Sequence, residues 1–169
     1  FLAILSTINL NWTQCMNNLE YLDHLSTIPA ELVDDILTTV ESGERYSSKG
    51  NTEASSYKHF TSINASDKLK EFTNSLFNFK HDAHIFVLSD HIPPHIDNLE
   101  VRDVAFNYVI KSGDGVTRFH TDKTDNSIYE EHTIDVGRWH RLNVANFHSV
   151  TIPNPPRIVL TMSTLKGRL

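Results

Sequence analysis

The chain has 169 residues, enough for one domain with a real hydrophobic core. Hydrophobic residues make up 39% and charged residues 21%, which excludes a disordered chain; the net charge of −6 comes without any long run of like charges, so an electrostatic grip on nucleic acid is not expected. No apolar stretch reaches the length of a membrane span, and Cys15 is the only cysteine, which excludes a disulfide framework.

The start Phe1–Leu5 is apolar but too short for a signal-peptide core. A soluble, cytoplasmic protein in a reducing compartment is therefore expected. Ser26-Thr27-Ile28-Pro29 reads as a helix start, with Ser26 or Thr27 as the cap. Leu32, Ile36 and Val40 then recur every fourth residue, and Gly43 ends the pattern. Gly43 to Ser56 is polar and loop-like. A second helix is expected from about Ser66, with Leu69, Phe72, Leu76 and Phe79 on one face.

Near residue 84 the pattern changes to strands: His84–Leu88, Val101–Lys111, Val116–Thr121, Ser127–Asp135, His140–Phe147 and Arg157–Ser163. Turn residues separate them: Pro93-Pro94, Gly113-Asp114-Gly115, Asp125-Asn126, Gly137, and Pro153 to Pro156. Helices first and strands after predict an α+β, mainly β domain, with the N-terminal helices packed on one face of a sandwich or closed barrel. One domain spans 1–169, with 1–83 as helical support and 84–164 as the core.

His95-Ile96-Asp97 puts an imidazole and a carboxylate two residues apart, which on a strand share a face. His148 is the candidate third ligand, far enough downstream for several strands to pass between. Two imidazoles and one carboxylate leave positions open, a set suited to non-haem Fe(II), although zinc accepts the same donors. His120-Thr121-Asp122 is a second such pair. It runs into Lys123 to Asn126, a hairpin tip, and reads as exposed. Arg157 opens the apolar strand Ile158 to Ser163. Facing inward it needs a partner, and the far carboxylate of a dicarboxylic acid would serve; facing water it needs none.

Together, Ile92-Pro93-Pro94-His95-Ile96-Asp97, Arg102, Ala105-Phe106-Asn107, Asn146-Phe147-His148-Ser149-Val150 and Arg157-Ile158-Val159-Leu160 resemble the Fe(II)/2-oxoglutarate-dependent oxygenases. Within them, this combination is most similar to the aspartyl/asparaginyl β-hydroxylase-like branch. The resemblance covers roughly residues 84 to 164. It implies a double-stranded β-helix, which is a cupin-like jelly roll. It also implies iron ligation by His95, Asp97 and His148, the residues that would carry catalysis, with Arg157 on the distal carboxylate of the cosubstrate 2-oxoglutarate. Asn107 is a weaker candidate for contact with 2-oxoglutarate. The implied reaction is dioxygenase chemistry: hydroxylation of an amino-acid, peptide or small-metabolite C–H bond with O2, releasing succinate and CO2. Two rivals share the fold: a cupin-type metalloenzyme independent of 2-oxoglutarate, in which Arg157 is dispensable, and a non-catalytic jelly-roll binding module.

Other residues invite blander readings. His81, His84 and His91 are expected at loops and strand edges, and His132 and His140 facing solvent. Trp12 and Trp139 read as packing residues, Cys15 as a small buried hydrophobe, and Tyr129-Glu130-Glu131 as a solvated strand face. Arg102 receives no role from the sequence, and neither substrate nor oligomeric state is legible.

Overall fold

The computed structural model describes residues 17–42, 60–99 and 102–164. Trp12, Cys15 and the Gly43 to Ser56 loop lie outside them. Among the described residues, ten strands and two helices follow in the order β1 (Leu19–Tyr21), α1 (Ala30–Ser42), β2 (Phe60–Asn64), α2 (Asp67–Leu76), β3 (His81–Leu88), β4 (Ile92–His95), β5 (Val104–Lys111), β6 (Val116–His120), β7 (Ile128–Thr133), β8 (Trp139–Asn143), β9 (Phe147–Thr151) and β10 (Arg157–Thr164). They form a six-stranded sheet, β1-β8-β5-β10-β3-β2, and a four-stranded sheet, β4-β9-β6-β7. Every pairing is antiparallel.

The period of two along β10 explains the layering. Ile158, Leu160 and Met162 point to one side of the large sheet. There they join Ile36 of α1, Leu69 of α2, Ile85, Tyr108 and Trp139 in one buried cluster. Val159 points to the other side and packs with Leu88, Val109, Ile134 and Ile152. Ala105, Leu142 and Phe119 make a second contact between the sheets. The two sheets thus lie face to face, with the helices on the outer face of the larger one. Leu160 is fully buried, and its truncation to Ala would cost about 2–5 kcal/mol. α2 begins close to the expected place, and Ser66 caps it, its Oγ accepting from Leu69 N at 3.4 Å.

Three features depart from the expected order. β1 precedes α1 and β2 lies between the helices; three residues, Leu-Glu-Tyr, are too few to display a period. Ile92-Pro93-Pro94-His95 is a strand rather than a turn. β4 sits at a sheet edge and pairs only with β9, so the missing proline N–H groups break no second ladder. The expected strand His140–Phe147 is two strands in different sheets. Between them, Ala145 N donates to Asn143 Oδ1 at 3.2 Å, a side-chain turn that stops the first strand.

From β3 to β10, the strands fall in the large, small, large, small, small, large, small and large sheets in turn. The β5–β6 turn carries positive φ at Gly113 (57°) and Asp114 (54°), and Gly115 N donates to Ser112 O at 2.9 Å. That is a tight mirror-image turn, and here it carries the chain from the large sheet to the small one. No helix among the described residues is long and apolar enough to cross a membrane.

Candidate metal centre

The small sheet aligns the candidate ligands by register. His95 at the end of β4 lies opposite His148 on β9, His148 opposite Phe119 on β6, and Phe119 opposite Glu130 on β7. Residues directly opposite share a face, and Phe119 belongs to the contact between the sheets. The row therefore faces the interior. The His95 and His148 rings lie 4.3 Å apart between centroids. Asp97 follows β4 and is held by its backbone N–H, which donates to Val144 O at 3.1 Å. One ligand atom from each of His95, Asp97 and His148 lies within 4.8 Å of the others. Among the described residues this is the only cluster of its kind.

The two rings are prepared alike. His95 Nδ1 donates to Pro93 O at 2.9 Å and His148 Nδ1 donates to Asn146 O at 3.0 Å. A carbonyl accepts only, so each Nδ1 carries a proton, which in the neutral ring leaves the Nε2 lone pair toward the cluster. Asp97 Oδ1 lies 3.3 Å from His95 Nε2 and 3.9 Å from His148 Nε2. Burial, then the charge of nearby His95, lowers His148 to about 4. Burial raises the Asp97 carboxyl. The hydrogen bond from His95 and the charges of Arg102, His148 and His95 outweigh it and hold the group well below the usual carboxylate range. Near neutral pH the donors are thus a neutral imidazole at His148 and an ionised carboxylate at Asp97, the forms a divalent ion needs.

Arg157 faces the interior and is only 4% exposed. Its Nη1 is buried with no hydrogen-bond partner among the described residues. Burial alone lowers it to about 10, still charged at neutral pH. An uncompensated buried cation is expensive, so the site asks for an anion. Asn107 is buried on β5 and sits in register between His140 on β8 and Thr161 on β10, all three on the interior face.

Gly115 supports the arginine. A Cβ there would meet Arg157 Nη1 at 2.6 Å, Ser112 O at 2.9 Å and Arg157 Cδ at 3.0 Å. Gly115→Ala must push the guanidinium aside. It is expected to weaken binding of a dicarboxylate at Arg157 about tenfold or more, while metal binding at His95, Asp97 and His148 stays unchanged. Parallel titrations with metal and with the dicarboxylate check this.

Several sequence expectations are corrected here. His120 is buried, not exposed. Its Nε2 contacts Ser149 Oγ at 2.8 Å and its Nδ1 contacts Thr124 O at 3.1 Å, so the partners that permit burial come from β9 and the hairpin. Asp122 is exposed as expected. His140 is buried at 1% exposure rather than facing solvent, and burial lowers it to about 4. His132 is half-buried and bonds Glu130 Oε1 at 2.6 Å, so Glu130 belongs to the interior row, not a solvated face. Tyr129 and Glu131 are exposed. His81 turns toward α2 and meets Thr73 Oγ1 at 3.1 Å, whereas His84 lies in register with interior-facing Thr161. Trp139 packs in the core and donates to Ser26 O at 2.8 Å.

His140 and His148 also make the fold pH-sensitive. Their folded pKa values lie below the ordinary 6.5, so the unfolded chain binds more protons between about pH 6.5 and 4. Stability is full above pH 6.5 and falls as pH drops through that window, by on the order of a few kcal/mol for the two residues together. Urea unfolding of the metal-free protein at pH 7 and pH 5 checks the sign. His140→Asn is expected to flatten the difference.

No protein-family model matches the sequence. No curated protein matches it either. Solved structures do. A prolyl hydroxylase from Trichoplax adhaerens, in complex with a hypoxia inducible factor peptide fragment, superposes with a TM-score of 0.59 at 14% identity, covering 88% of this chain and 84% of that one. A Pseudomonas putida prolyl-4-hydroxylase gives 0.57 at 14% identity, covering 88% and 93%. The chain has the jelly-roll fold of the iron- and 2-oxoglutarate-dependent oxygenases. HygX from Streptomyces hygroscopicus, with nickel, 2-oxoglutarate and hygromycin B bound, matches at 0.52 and 8% identity, covering 86% and 82%.

Arg102 is the residue whose place in this site the sequence did not reveal. Its Nε donates to Asp97 Oδ2 at 2.6 Å and its Nη2 lies 2.5 Å from the same oxygen.

Proposed function

We propose that the chain is a non-haem iron(II) and 2-oxoglutarate-dependent dioxygenase that hydroxylates a C–H bond of an amino acid, peptide or small metabolite. The observation that carries this reading is the pairing of two unlike features in one interior: an open set of three ligands, and a buried arginine whose Nη1 has no hydrogen-bond partner among the described residues. A structural zinc site would close with a fourth protein ligand. Nothing in a plain binding module or in a 2-oxoglutarate-independent cupin calls for a buried guanidinium with a nitrogen left unsatisfied by the described residues.

His95, Asp97 and His148 would hold the ion, through Nε2, Oδ1 and Nε2. Bound there, iron with 2-oxoglutarate and O2 supplies the oxidising power for hydroxylation, with succinate and CO2 released. Arg157 would take the distal carboxylate of 2-oxoglutarate, and Asn107 would help orient it. Val109, Val159, Leu88 and Phe119 keep water from the interior. The alternation of strands between the two sheets supports a double-stranded β-helix. The Asn146 to Val150 motif with Arg157-Ile-Val-Leu160 supports the aspartyl/asparaginyl β-hydroxylase-like branch. The single cysteine fits a reducing, cytoplasmic setting. Relatives in fold hold a peptide in one case and a small molecule, hygromycin B, in another, which supports either class of substrate here.

The test is an anaerobic titration with Fe(II) and then 2-oxoglutarate, watching for the visible charge-transfer band of the chelate. The band is expected in the wild type, absent in His95→Ala, and displaced to far higher 2-oxoglutarate in Arg157→Ala. A folded, iron-loaded wild type with no band would overturn the reading and favour a 2-oxoglutarate-independent cupin or a binding module.

A further inference from the structure

We propose that Arg102 is a positioning residue for the metal centre: by holding Oδ2 of Asp97 it makes Asp97 a one-oxygen ligand through Oδ1, and so sets the strength of metal binding. This rests on the metal-centre reading above.

The geometry is specific. An arginine that pairs with a carboxylate in the common forked way gives one nitrogen to each oxygen. Here Nε and Nη2 both converge on Oδ2, at 2.6 Å and 2.5 Å. Oδ1 is left facing the two imidazoles, 3.3 Å from His95 Nε2 and 3.9 Å from His148 Nε2. The guanidinium is itself anchored. Nη1 donates to Ser163 Oγ at 3.0 Å and to Thr161 Oγ1 at 3.4 Å, both on β10. Its carbon lies 5.9 Å from the Phe86 ring centroid on β3. Arg102 N also donates to Asn98 O at 3.0 Å, which ties the segment after Asp97 back on itself. The pair is sheltered, with side chains 16% and 12% exposed.

The consequence concerns Asp97 more than the loop. Asp97 lies just past the end of β4, so the strand ladder does not fix its side chain. A carboxylate free to rotate can present either oxygen, or both. Two donors on Oδ2 remove that freedom and tie the chosen rotamer to the large sheet, while His95 and His148 stand on the small one. Arg102 thereby couples the position of the third ligand to the packing of the two sheets. Losing such an outer partner commonly weakens metal binding about 10- to 100-fold.

Co(II) serves as the probe, because its visible spectrum reports ligand geometry without any turnover. The variants are Arg102→Lys, which keeps the charge but not the convergent pair of donors, and Arg102→Gln, which loses the charge. A third variant, Thr161→Val with Ser163→Ala, frees Nη1 and leaves Asp97 and Arg102 untouched. Expected are a Co(II) dissociation constant raised about 10- to 100-fold in Arg102→Gln, a smaller rise in Arg102→Lys, an altered visible band in both, and a shift in the same direction in the β10 double variant. Wild-type affinity and spectrum in folded Arg102→Gln and Arg102→Lys would overturn the proposal. Should those two fail to fold, wild-type affinity and spectrum in the β10 double variant would overturn it. A wild type that binds no Co(II) and no Fe(II) would instead remove the metal-centre reading.

Discussion

Arg157→Met is expected to raise the stability of the ligand-free protein while weakening its hold on 2-oxoglutarate. In the free protein the guanidinium is 4% exposed and its Nη1 has no partner among the described residues. A methionine of similar reach leaves nothing charged to desolvate, and replacements of buried ionic groups by apolar ones are neutral or stabilising by about 1–4 kcal/mol. For a chain of this length that is a rise of several degrees in Tm, at roughly 2–4 °C per kcal/mol. Binding moves the other way. Removing one partner of a buried charge pair costs about 2–5 kcal/mol, roughly 30- to several-thousand-fold in Kd for 2-oxoglutarate. Thermal melts and an anaerobic titration on the same preparation read both effects. A variant that loses stability and keeps its affinity would mean that Arg157 is a structural residue.

Asp97→Ala is expected to abolish metal binding and to destabilise the metal-free protein as well. The carboxylate is a candidate ligand, and it is also the partner of a sheltered guanidinium. Its removal leaves Arg102, among the described residues, with the β10 hydroxyls and the face of the Phe86 ring. Breaking a buried pair from one side costs about 3–5 kcal/mol, and the 16% exposure of Arg102 puts the expected loss near the lower end. Removing both charges together, as Asp97→Leu with Arg102→Met, is expected to restore most of that stability without restoring metal binding. Urea unfolding of Asp97→Leu, of Arg102→Met and of the double variant gives the coupling directly. Additive losses would show that the ion pair carries no weight in the fold.

What could be read from the sequence, and what could not, follows from range. His95 and Asp97 stand two apart, and His148 carries a local motif, so these residues are visible as a set. Arg157 is visible as a cation opening an apolar strand, although only the packing shows which way it faces. The α2 cap and the Gly113-Asp114 turn are written in four residues each. The misreadings concern polar residues inside strands. His120 and His140 look like solvent-facing positions, because what buries them arrives from elsewhere: Ser149 and Thr124 for one, the interior of the sandwich for the other. Arg102 reads as the start of a strand without a role, since the oxygen it holds and the hydroxyls that anchor it become neighbours only when β3, β4 and β10 assemble. β4 is hidden by its prolines, which an edge strand tolerates and a central one does not.

The placement of His95 opposite His148 has a kinetic consequence. One of the three ligands comes from a strand that cannot find its partner until most of the chain has been made and folded. Long-range antiparallel pairings of this kind form slowly. A slip of one residue in β9 would turn His148 outward and bring Ser149 in, and so erase the site while conserving the hydrogen-bond ladder. A divalent ion binds the correct register and not the slipped one. Its presence during refolding therefore selects between the two by mass action, and the fraction of chains recovered in the native register should rise with metal concentration.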